Sequence, residues 1–146
     1  MNFRLVLAAA MACSLFSCAP APAYAEEATE PFKLSDLTIG VHAYTYHFDK
    51  SQNYNNYNPG LYLEYQGWIA GAYYNSERAP SAYAGYTFKA VFGSWIDVTV
   101  GAVTGYERAA VLPLVVPSIK VWDHVRFSLL LPPEKTGWGL HVSFEF

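Results

Sequence analysis

Four histidines, His42, His47, His124 and His141, are the residues of this chain best suited to proton transfer, because imidazole exchanges a proton near neutral pH. His42 lies in the alternating run "DLTIGVHAYTYHF", on one face with Tyr44 and Tyr46. An inward His of this kind either accepts the proton of a neighbouring hydroxyl or packs as a hydrogen-bonded core group. Asn75-Ser76 opens a polar loop, where such a pair is ordinary turn chemistry. Tyr57, Asn58 and Arg78 flank the same end of the fold and suit a sugar or phosphate, Arg78 through its planar fork. No metal site is expected: on strict alternation His42 and His47 face opposite sides of one strand, and His124 and His141 lack ligand spacing. No glycine-rich loop joins a strand to a helix, so no phosphate cradle and no cofactor are implied.

These residues are carried by strands. Period-2 alternation recurs in "DLTIGVHAYTYHF", "SWIDVTVGAVTG", "HVRFSLLL" and "WGLHVSFEF". Turn residues divide the chain into eight segments, about 36–48, 60–66, 67–75, 80–90, 94–105, 112–121, 124–131 and 138–146. Connections alternate between tight (Gln66-Gly67, Phe92-Gly93, Trp122-Asp123) and longer, the longer being "DKSQNYNNYNPG", "NSERAP", "YERAA" and "PPEKTG". An even strand number with short turns at one end and long loops at the other predicts an all-β, eight-stranded antiparallel up-and-down barrel of the outer-membrane type.

Composition agrees. Of 146 residues, 53% are apolar, 17% aromatic and 14% charged, against about 25% charged in soluble domains. Disorder is excluded for most of the chain by its aromatic content. Nucleic acid is excluded as a partner, because 9 basic residues face 12 acidic ones without a basic run. Residues 1–25 read as a secretory signal peptide, with Arg4, an apolar stretch from Leu5 to Phe16 and Ala23-Tyr24-Ala25 as cleavage site. The competing processing is a lipoprotein box ending at Cys18, with a weaker version at Cys13. Residues 26–35 then form an N-terminal extension and 36–146 the barrel domain.

On the last strand Leu140, Val142, Phe144 and Phe146 share a face that the remaining chain is too short to cover. Hydrocarbon is the expected cover, and closure removes the edges that lipid does not tolerate. On the inner face Glu64, Gln66, Asp97, Arg126 and Glu145 are expected to form a charged floor near the tight turns. Tyr44, Tyr46, Val103 and Leu130 are expected in a less polar upper half with room for an acyl chain.

Several strings resemble the lipid A palmitoyltransferase (PagP) family. "VHAYTYHFDK" resembles its first strand and loop, where a His followed by Ala begins the active region. "YNNYNPG" resembles its entry to the second strand, "YYNSERAPSAYAGY" its third-strand loop and "VLPLVVPSIKVW" its Pro-x-x-x-Pro strand. The likeness covers about residues 39–135. It implies transfer of an acyl chain from phospholipid to lipid A at the extracellular end, with the chain held in the lumen. Carried over by position, it points to His42, Asn75 and Ser76 as the catalytic set. Asn75 stands where the family has an acid, as a polar helper able to orient a group or donate to an oxyanion. The pair Pro113 and Pro117 matches prolines that flank lateral gaps in the family; proline donates no ladder hydrogen bond. The family's N-terminal amphipathic helix has no counterpart here.

The geometry contains one difficulty. If the first strand runs to Phe48, His42 lies roughly 12–16 Å below Ser76, and His47 becomes the base in reach. The His141-Val142-Ser143 spacing resembles that of the eight-stranded lipid A deacylases, without matching flanks. The expectation is therefore a monomeric barrel in the outer membrane of a Gram-negative bacterium, acting on phospholipid and lipid A. The alternatives are a non-enzymatic barrel that binds an acyl chain or stabilises the membrane, and a soluble periplasmic barrel or lipoprotein.

Overall fold

The computed structural model describes residues 32–93, 95–131 and 137–146. The expected leader with Cys13 and Cys18, residues 26–31 of the extension and residues 132–136 of the last long loop lie outside them. Eight strands follow one another: β1 (Leu37–His47), β2 (Tyr57–Tyr65), β3 (Trp68–Tyr74), β4 (Pro80–Phe88), β5 (Ile96–Tyr106), β6 (Ala109–Trp122), β7 (Val125–Leu130) and β8 (Gly139–Glu145). Each pairs antiparallel with its sequence neighbour, and β8 returns to β1 to close the barrel.

The turns differ in detail from the sequence reading. Gln66 and Gly67 both have positive φ (49° and 86°), the backbone of a two-residue hairpin turn whose twist suits the flanking strands. Gln66 is therefore a turn residue and no part of the lumen floor. The β4–β5 connection is not a two-residue turn at Phe92-Gly93. It spans 89–95 around a 3-10 turn (Val91–Gly93), flanked by Ala90 at φ 48° and braced by the Ala90 N–H on Asp97 Oδ1 at 3.0 Å. The β6–β7 turn falls at Asp123–His124, because β6 extends to Trp122. The second strand starts at Tyr57 rather than residue 60. Pro59, with no N–H to offer, sits where the β1–β2 register slips between the pairs His42↔Gly60 and Tyr44↔Tyr57.

The slip also breaks the alternation of β1. Its register shifts between His42 and Tyr44 against both neighbours, the signature of a β-bulge. Beyond it Thr45 (2% exposed) and His47 (3%) are inside, while Tyr44 (42%) and Tyr46 (48%) are outside. Tyr44 and Tyr46 thus do not share the lumen with His42. His42 and His47, read from strict alternation as opposed, point to the same side.

The lumen is filled in layers. Near the tight turns Arg126 donates through Nε to Glu145, and through Nη1 to Asp97 Oδ2 (2.8 Å) and Ser118 Oγ (2.9 Å). Lys120 reaches Glu145 at 3.2 Å and Lys89 reaches Glu64. Tyr62 donates its hydroxyl to Glu145 Oε1 at 2.9 Å. Gly40 exists to admit that ring: a Cβ there would lie 2.0 Å from Tyr62 Cζ. Gly40→Ala is expected to displace Tyr62, lose its bond to Glu145 and cost about 1–3 kcal/mol, read as a lower urea midpoint for the folded protein.

Outward positions are different in kind. Those that alternate with the lumen residues along the described strands carry no charged side chain, and Thr104 is their one Ser, Thr, Asn or Gln. Its hydroxyl is tied to the Ala82 backbone, donating to the carbonyl at 3.1 Å and accepting from the N–H at 3.2 Å. Exposed rings gather at both ends: Trp68, Phe88, Trp122 and Phe146 by the tight turns, and Tyr46, Phe48, Tyr57 and Tyr74 by the long loops. Pro113 and Pro117 lie on β6, which pairs with β5 through both of them. The β6–β7 ladder begins only at Ser118↔Ser128, directly after Pro117.

Candidate functional site

At the long-loop rim the bulge delivers His47 against the β3–β4 loop. His47 Nε2 meets Ser76 Oγ at 2.9 Å, and Nδ1 meets Asn56 Oδ1 at 2.8 Å. His47 is buried and Ser76 is partly so. The Tyr54 ring covers the imidazole, 4.8 Å between centroids.

Asn75 explains why Ser76 is presented there. Its amide is fully buried. Oδ1 accepts the N–H groups of Glu77 (2.8 Å) and Ala79 (2.9 Å), while Nδ2 donates to Ser81 Oγ and to the Gly105 carbonyl. A side chain that closes its own backbone into a turn in this way fixes the loop. All its hydrogen-bonding capacity is used for that purpose, so Asn75 orders the loop and its amide bonds to neither His47 nor the Ser76 hydroxyl. The β1–β2 loop is strapped to the same loop. Asn55 N–H donates to the Ser76 carbonyl at 2.8 Å, and Arg78 donates to the Asn53 carbonyl (2.7 Å) and Oδ1 (3.2 Å).

His42 belongs to a separate cluster in mid-barrel. Its Nδ1 meets His141 Nε2 at 2.9 Å and its Nε2 meets the Tyr83 hydroxyl at 3.0 Å. His141 Nδ1 in turn meets Thr45 Oγ1 at 2.8 Å. The rings of Tyr62, Tyr73, Tyr83 and His141 surround His42 at 5.0–5.6 Å. His42 is a satisfied core residue, and the imidazole beside Ser76 is that of His47. The same bonds commit His141, and Ser143 Oγ turns to the Tyr62 hydroxyl at 3.4 Å, so the His-x-Ser spacing produces no dyad. Of the binding candidates, Tyr57 faces outward, whereas Asn58 is buried with Nδ2 on the Tyr74 carbonyl and Oδ1 without a partner among the described residues. Arg78 spends its fork on Asn53.

No acid takes part. Asp49 in the covering loop accepts from Ser51, whose hydroxyl and amide hold its carboxyl below the usual carboxylate range. Among the described residues no three His, Cys, Asp or Glu side chains converge as metal ligands. The His47–Ser76 contact is one through which an imidazole nitrogen can withdraw a proton from a serine hydroxyl at the barrel rim.

The chain matches no family model and no curated protein. The residue that sequence reasoning missed is Asn56. It lies within the run "YNNYNPG" that carried the resemblance, but nothing in its spacing from His47 shows that a bulge turns the two toward each other.

Proposed function

We propose that this protein is an outer-membrane barrel that moves ester-linked acyl chains of lipids, from phospholipid toward lipid A as the resemblance implies. Ser76 is the nucleophile and His47 the general base. The observation that carries this reading is the 2.9 Å contact between His47 Nε2 and Ser76 Oγ, within the reach that proton transfer requires. Ser76 Oγ attacks the ester carbonyl as its proton passes to Nε2. Collapse of the tetrahedral adduct returns that proton to the departing alcohol and leaves an acyl-serine. An acceptor hydroxyl then repeats the sequence in reverse, with His47 as base and then acid. Since the His42 ring cluster occupies the lumen below, the acyl chain lies along the outer wall, in contrast to the luminal ruler implied by the family.

The bilayer side of the proposal is supported by the uncharged wall and by aromatic rings at both ends, the dress of a membrane barrel. No helix of the described residues is long and apolar enough to cross a membrane; barrels cross with strands. Val100 faces outward on β5, opposite Tyr86 and Val115. Val100→Arg is expected to lower folding stability in vesicles by about 2–4 kcal/mol. A substitution without effect, together with release of the native protein by carbonate, would remove the membrane from the account. The function itself is tested by mass spectrometry of phospholipid and lipid A from cells with and without the gene. An unchanged acyl pattern overturns it.

A further inference from the structure

We infer that Asn56 is the positioning residue of this site, fixing the tautomer of His47 so that Nε2 keeps a lone pair for Ser76. The inference rests on the reading of Ser76 and His47 given above.

A neutral imidazole carries one N–H, and the group facing one ring nitrogen decides which nitrogen is left as acceptor. Asn56 Oδ1 lies 2.8 Å from His47 Nδ1. An amide oxygen can only accept, so the proton is placed on Nδ1 and Nε2 is free to take the proton of Ser76, 2.9 Å away. Asn56 is itself held from two directions. Its carbonyl accepts the Thr45 N–H at 2.9 Å, and its Nδ2 donates to the Tyr44 hydroxyl at 3.2 Å. Tyr44 is outside the wall and His47 inside, three residues apart on the alternation that resumes beyond the bulge between His42 and Tyr44. Asn56 spans the two and turns its oxygen inward.

Being neutral, Asn56 orients the ring without stabilising an imidazolium by charge. Asn56→Asp keeps the acceptor and adds that charge, which raises the pKa of a neighbouring His. Neutral His47 would then persist only at higher pH. The acidic limb of the rate profile is expected to move up by about one pH unit or more, with the rate above that limb equal to the original or higher. Asn56→Leu removes the acceptor at similar volume. It is expected to slow the chemical step about a hundredfold or more while leaving probe binding in place.

The test uses the full folded chain in detergent micelles and two readings. Rate and affinity of covalent labelling at Ser76 by an alkyl fluorophosphonate are followed by mass: Oγ attacks phosphorus, fluoride leaves, and the hydroxyl proton goes to His47. Nitrogen NMR of labelled histidine reports the His47 tautomer. Support is an Nδ1–H form in the native protein that is lost in Asn56→Leu, together with slowed labelling and the pH shift in Asn56→Asp. An Nε2–H form, or native labelling rates in Asn56→Leu, overturns the inference. If Ser76→Ala labels as fast as the native protein, the reading of Ser76 fails instead, and the tautomer still decides the case for Asn56.

Discussion

Ser76→Ala is expected to abolish acyl transfer, with turnover down by more than about 10⁴-fold, since no covalent intermediate can form without the hydroxyl. His47→Ala should cost about 10²–10⁴-fold, the usual share of a general base. The double variant should be little worse than Ser76→Ala, because the two act as a unit. His42→Ala separates this site from the one implied by position. His42 touches Tyr83 and His141 and not Ser76, so turnover should survive while the barrel unfolds at lower urea. Activity is read from acyl-chain masses after incubating refolded protein with mixed phospholipid and lipid A micelles. Full activity in Ser76→Ala, or loss confined to His42→Ala, would refute the assignment.

Arg126→Leu carries the largest expected stability loss, about 3–5 kcal/mol, the range for breaking a buried ion pair by removing one partner. Arg126 is buried and binds Asp97, Glu145 and Ser118 at once. Without it Glu145 retains Lys120 and the Tyr62 hydroxyl, and Asp97 retains the Ala90 N–H and, as its cation, a distant Lys89 at 3.9 Å. The loss is therefore charge left uncompensated in a closed interior, beyond the contacts removed. Adding Glu145→Gln to Arg126→Leu should recover part of the stability, whereas Arg126→Lys keeps the charge and loses the fork. Urea unfolding monitored by Trp fluorescence in vesicles checks all three. A cost below about 1 kcal/mol would place the cluster in the class of solvent-screened ion pairs.

Much of the fold was legible because a barrel is written in period 2. The eight segments and the charged floor of Glu64, Asp97, Arg126 and Glu145 follow from which residue types tolerate the inside of a small barrel, whereas the expected alternation of short and long connections fails at β5–β6, a two-residue turn at Glu107-Arg108, and at β4–β5, which spans 89–95. Strand ends were less legible. Pro59 was placed in the first long loop, yet β2 runs through it, because the missing N–H falls where the ladder has already slipped. Ala90 adopts positive φ without being glycine, which no propensity announces, and the β4–β5 turn is longer than expected in consequence.

The candidate site was legible only in part. Ser76 and the rim were singled out, and His47 was weighed as the base in reach. The choice of His42, the inward placement of Tyr44 and Tyr46, and the catalytic use of Asn75 all assumed unbroken alternation or a carry-over by position. One bulged residue in β1 reverses every later side chain of that strand. By itself, then, the sequence determined a closed β-sheet with an apolar outside and a polar inside, since that pattern is local and repeats eight times. Which histidine meets Ser76, and that Asn56 rather than Asn75 stands behind it, was decided by the tertiary structure. A register slip is a property of two paired strands, and it has no signature in either strand alone.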